Sequence, residues 1–178
     1  MENSDEIIIP ESVTAVFMSR DSSERAYDEL IYRGYKPDEI TVLISNETRD
    51  KHFRDGSNSD LTTKTLENAG LGSAIGGTVG AVTGAIAAIG TAVVIPGLGI
   101  AVAGPILASL TGAGAGGLTG GIIGALVGSG VPKHHAEHFD KSLQEGGIII
   151  GFKPKTVSDR IDIITSWNKY GGRQIHED

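Results

Sequence analysis

The chain has 178 residues, room for one domain or for a small domain carrying an insert, with a formal net charge of −7 and an isoelectric point near 5.2. An acidic surface repels phosphate backbones, which excludes nucleic acid as an expected partner. Cysteine is absent, so disulfide and thiol chemistry are excluded too.

Residues 1–11 read as a flexible acidic leader. Its Ile7-Ile8-Ile9 is too short for a signal-peptide core, which points to synthesis and residence in the cytoplasm or on its side of a membrane. Val13 to Met18 is rich in β-branched residues and predicts a strand. Asp21-Ser22-Ser23-Glu24 has the pattern of a capping box. The helix it opens runs to about Tyr32, with Ala26 and Leu30, flanked by Tyr27 and Ile31, facing inward, and Gly34 supplies a left-handed cap. Pro37-Asp38 makes a turn, and Ile40 to Ile44 is a second strand. If these two strands run parallel, the crossover between them is right-handed. Residues 46–60 are polar and read as a surface loop or linker.

The composition then changes. From Ala69 to Pro132 there is no charged residue and no His, Asn or Gln, and 19 of the 26 glycines fall in this run. Gly72, Gly76, Gly80 and Gly84 follow a four-residue period, as do Gly112, Gly116, Gly120, Gly124 and Gly128. Positions i and i+4 share a helix face, so each series predicts a groove without side chains, suited to close helix packing as in lipid. Pro96, Gly97, Gly99, Gly104 and Pro105 interrupt the run. The expectation is a helical hairpin over residues 61–131, with helices over about 66–94 and 105–130 and its turn at those five residues. A helix of about 26 residues rises ~39 Å, more than a ~30 Å hydrocarbon core. Lys64 and Lys133 flank the outer ends. Against insertion, Gly and Ala add little apolarity, and each interior Gly costs a helix about 1 kcal/mol, so these helices require partners.

After Pro132 a helix runs to about Gln144 and closes at Gly146-Gly147. Ile148 to Phe152 is apolar on both faces, which predicts a central strand. Thr156-Val157-Ser158-Asp159 is a second capping box, and Val157, Ile161, Ile164 and Trp167 mark the buried face of the last helix. Gly171-Gly172 ends that helix, and Gln174-Ile175-His176 forms a short edge strand. Halves this small do not each bury a core. The predicted fold class is therefore α+β: one ferredoxin-like split βαβ…αβαβ domain, discontinuous over 12–60 and 132–178, interrupted by the long glycine-zipper helical hairpin.

Three segments carry a resemblance. They are Val16-Phe17 through Ala26, Leu30, Gly34-Tyr35 and Asp38-Glu39-Ile40; the glycine run ending Gly128-Ser129-Gly130-Val131-Pro132; and Phe139 through Gly146-Gly147-Ile148-Ile149-Ile150. In their order they resemble the bacterial general stress proteins, including low-temperature-induced members, that carry a glycine-zipper hydrophobic insert. The resemblance implies a stress-linked, membrane-associated protein and supplies no catalytic residues.

Candidate chemistry is sparse. His134 and His138 share a helix face at a spacing that can ligate Zn or Ni. The plainer reading is a polar face just outside the apolar run. Gly112-Ala113-Gly114-Ala115-Gly116-Gly117 matches G-x-G-x-x-G but lacks the preceding strand and the later ribose-binding acid. The hydroxyls of the run, such as Thr78, Thr83 and Ser109, suit bonds to helix carbonyls better than a pore. Asp21/Glu24 and Asp159/Asp162 read as caps and exposed faces. The sequence thus predicts a non-enzymatic protein with no cofactor and no identified small-molecule substrate. Its expected partners are further copies of itself and a lipid membrane, and its place is the cytoplasmic side of the inner membrane with both termini cytoplasmic, or alternatively a soluble cytoplasmic oligomer. A second function class is a ferredoxin-like sensor that binds a small ligand or metal at a subunit interface.

Overall fold

In a computed structural model, which describes residues 12–53, 92–112, 120–128 and 131–177, thirteen successive residues from Arg20 form the first helix, after a strand buried at every residue but Thr14. The described elements are β1 (Val13–Phe17), α1 (Arg20–Tyr32), a 3₁₀ turn (Pro37–Glu39), β2 (Ile40–Ser45), α2 (Asn46–Phe53), β3 (Val93–Ile95), β4 (Ile100–Ala103), α3 (Pro105–Gly112), α4 (Gly121–Gly128), α5 (Lys133–Gln144), β5 (Ile148–Phe152), α6 (Val157–Lys169) and β6 (Arg173–Glu177). The fold is mixed α and β: a six-stranded sheet, antiparallel throughout and ordered β3-β4-β2-β5-β1-β6, with six α-helices among the described residues.

Strand alternation divides the core in two. Val13, Ala15, Phe17, Ile40, Val42, Ile44, Ile148, Ile150 and Phe152 point to one face, where α1 and α6 lie. Val16, Leu43, Ile100, Val102 and Ile149 point to the other, against Leu126 of α4 and Ala136, Phe139 and Leu143 of α5, with Ile106, Leu107 and Leu110 of α3 alongside. Both faces of the central strands are therefore covered. This explains why β5, flanked by β1 and β2, is buried at every residue, as its unbroken apolar run predicts. β6 is an edge strand, also as expected.

Capping largely follows the sequence. Thr156 Oγ1 accepts from the Asp159 N–H at 3.0 Å, and Gly34, Gly146 and Gly171 close their helices with positive φ. At the first helix the cap differs. Ser19, not Asp21, takes the N-cap, its Oγ accepting from the Ser22 N–H at 3.2 Å, and Glu24 pairs with Arg20 at 2.7 Å. Residues 46–53, expected in a loop, are α2. The Ser45 hydroxyl accepts from the Thr48 N–H, Thr48 and Phe53 turn inward, and the Arg20 guanidinium lies 5.1 Å from the Phe53 ring centre. In α6 the buried residues are Ile163 and Trp167, while Ile161 is 53 % exposed. The buried stripe is rotated from the expected one, with Ile163 and Trp167 turned inward and Trp167 packed against Phe17 and Phe152.

The helices α1 and α6 are stapled by polar contacts. Arg33 pairs with Glu29 at 3.0 Å and reaches Asp159 and Asp162 at 3.5 Å each. The Tyr35 hydroxyl donates to Asp159 and accepts from the Lys155 N–H. Tyr170 donates to Glu29 at 2.9 Å.

The largest departure lies in the uncharged run. Residues 93 and 94, expected at the end of the first zipper helix, belong to β3. Pro96, Gly97, Leu98 and Gly99 turn β3 into β4, and β4 pairs with β2 from Val42↔Ala103 to Ser45↔Ile100. Pro96, Gly97 and Gly99 thus turn a β-hairpin that extends the sheet, and Gly104-Pro105 turns that hairpin into α3. The β-branched Val93, Val94, Ile95, Ile100 and Val102 favour this geometry. Among the described residues, the span expected as a single helix over 105–130 holds α3 and α4, and the break at Gly120-Gly121 separates α4 from what precedes it. Gly121 opens α4 at φ +64, a conformation no right-handed helix continues through. The first expected helix below residue 92 lies outside the described residues.

Candidate functional site

The glycine faces are the features that the sequence singles out most strongly. Gly72, Gly76, Gly80, Gly84 and Gly116 lie outside the described residues, and Gly112 ends α3. Gly124 and Gly128 lie on α4, and Gly120 sits in the turn just before it. At 100° per residue, Ile122, Ala125 and Leu126 form the face that packs on the sheet layer, and Gly124 and Gly128 fall on the opposite face. Gly128 is exposed and Gly124 half-buried. The glycine ridge therefore points away from the sheet.

Gly120 has a different job. A Cβ there would sit 2.8 Å from the Gly124 Cα, and the Gly124 N–H donates to the Gly120 carbonyl at 3.2 Å. This glycine lets the chain fold tightly over the first turn of α4. The i, i+4 spacing alone does not separate that role from an outward packing surface.

His134 and His138 are both exposed on α5. Their neighbours organise the imidazoles differently from the expected pair. The His134 ring lies 3.9 Å from that of His135, His135 is 4.1 Å from His176 on β6, and His138 stacks on His176 at 5.9 Å and 12°. No group of three His, Cys, Asp or Glu among the described residues is arranged to hold a metal ion. His176 reaches this corner through the pairing of β6 with β1, a long-range contact that α5 alone does not reveal.

A shallow cavity of about 280 Å³ opens between Ser45, Glu47, Gly99, Ile100, Ile122 and Leu143. Its one hydroxyl is engaged with Thr48, donating to Oγ1 at 2.8 Å. The hydroxyl thus serves the start of α2 and is not directed into the cavity.

One carboxyl has an unusual environment. Asp28, half-buried on α1, has its pKa pushed up from 3.8 to about 6, first by desolvation and then by the charge of Glu24 one turn earlier. Its Oδ1 meets no hydrogen-bond partner among the described residues. The adjacent Tyr27 hydroxyl is likewise pushed up to about 12 by burial and by Asp28. The folded state holds the Asp28 proton more tightly than the unfolded chain does. The stability this confers is fully present below pH 3.8 and is lost as pH rises through about 6. Asp28→Asn is therefore expected to stabilise the protein by about 1 kcal/mol at pH 8, a figure reduced for partial solvent screening. The gain should vanish near pH 4. Urea unfolding at both pH values checks this, and an equal effect at each would contradict it.

Among the described residues no helix is long and apolar enough to cross a membrane. Comparison with family models, with curated proteins and with solved structures returned no match.

Proposed function

We propose that this chain is a non-enzymatic, stress-associated protein that acts by self-assembly and membrane association through its glycine-faced segments. The observation that carries this reading is the orientation of α4, whose apolar side is spent on the sheet layer while Gly124 and Gly128 face outward. A ridge without side chains is a poor surface against water and a good one against another helix. The stress link rests on the resemblance in segment order, and the membrane link on the uncharged run. Together they support a site of action at the cytoplasmic side of the inner membrane, with a soluble cytoplasmic oligomer as the alternative.

We read the supporting domain as ferredoxin-like. The order β2-β5-β1-β6, with α1 and α6 as the two crossovers on one face, is that of a split βαβ pair interrupted between β2 and β5. In such folds the open sheet face commonly carries a ligand or a second subunit. Here α3, α4 and α5 cover that face, which favours assembly through the glycine segments over a sensor site between sheets.

The test is Gly76→Leu with Gly128→Leu. Gly120 is unsuitable, since its substitution breaks the α4 turn whatever the function. Wild-type protein is expected in large assemblies by sedimentation and in the carbonate-washed membrane pellet. The double variant is expected to shift to smaller species and to the supernatant with the same melting midpoint. Unchanged size and unchanged partition would refute the proposal.

A further inference from the structure

We draw no further inference here: the strongest candidate, the corner where the His134, His135 and His138 imidazoles of α5 cluster with that of His176 on β6, is not arranged to hold a metal ion, and nothing among the described residues shows which further charges face it to make it a binding site or a pH switch.

Discussion

Trp167→Ala is expected to lower the unfolding free energy by about 4 kcal/mol, a large share of the stability of a domain this size. The indole is fully buried where α6 meets α1 and the sheet. It packs edge-on against Phe17 at 5.5 Å and Phe152 at 5.2 Å, joining the helix to strands β1 and β5 at once. Its Nε1–H donates to the Ala26 carbonyl at 3.3 Å, which ties it to α1 as well. Truncation leaves a cavity against α1 and strands β1 and β5, and the two strands are held by sheet pairing, so the site collapses little. Trp167→Phe keeps the ring contacts and loses only the hydrogen bond and part of the volume, and is expected to cost about 1–2 kcal/mol. Because Trp167 is the sole tryptophan, urea unfolding followed by far-ultraviolet dichroism is the measurement. A loss below about 1 kcal/mol for the alanine variant would mean that the indole is not the packing centre of this layer.

The same residue shows what the sequence made legible. A lone Trp completing a 3.6-residue stripe near the end of a capped helix reads as core, and it is. β5 reads as central because no polar residue interrupts Ile148, Ile149 and Ile150. Those signals are local and strong. The sequence pattern sets the stripe on α6 off by about one residue because Ile161, Ile163 and Ile164 are chemically equivalent in a pattern, and the position of Trp167 against Phe17 chooses among them. α2 was missed because two inward residues, Thr48 and Phe53, make no periodic face; Arg20, reaching from another helix, completes its packing.

The β-hairpin was hidden for a different reason. The uncharged run is uniform in composition, and its four-residue glycine period suggests one kind of structure throughout. Within it the period changes. Val93-Val94-Ile95 and Ile100-Ala101-Val102 are β-branched pieces bracketing Pro96-Gly97-Leu98-Gly99, the pattern of two strands and a turn. Read without the surrounding glycines, those ten residues signal a hairpin. The spacing of the glycine ridge is legible in the sequence; the direction it faces depends on α4 packing against α5, which no spacing encodes.

Gly104→Ala is expected to cost about 3–5 kcal/mol, and it separates the sheet-extending hairpin from a turn between two helices. Gly104 sits at φ +82, where an added Cβ alone costs about 1–2 kcal/mol. A Cβ built there would lie 2.0 Å from the Ile40 carbonyl oxygen and 2.9 Å from the Thr41 Cα. Those atoms are backbone of β2, paired to β4 on one side and β5 on the other, so they do not yield as a side chain does. Relief requires moving the start of α3 off the sheet, and with it the contacts of Ile106, Leu107 and Leu110. Gly97 and Gly99 provide the comparison. They too have positive φ, +85 and +68, but a Cβ at either meets nothing within 4 Å. Gly97→Ala and Gly99→Ala are thus expected to cost only the conformational part, about 1–2 kcal/mol each. In an open connection between zipper helices, Gly104 has no strand beside it and the three substitutions cost alike. Urea unfolding of the three variants decides: Gly104→Ala several-fold worse than the others supports the turn from β4 into α3, and three equal losses would contradict it.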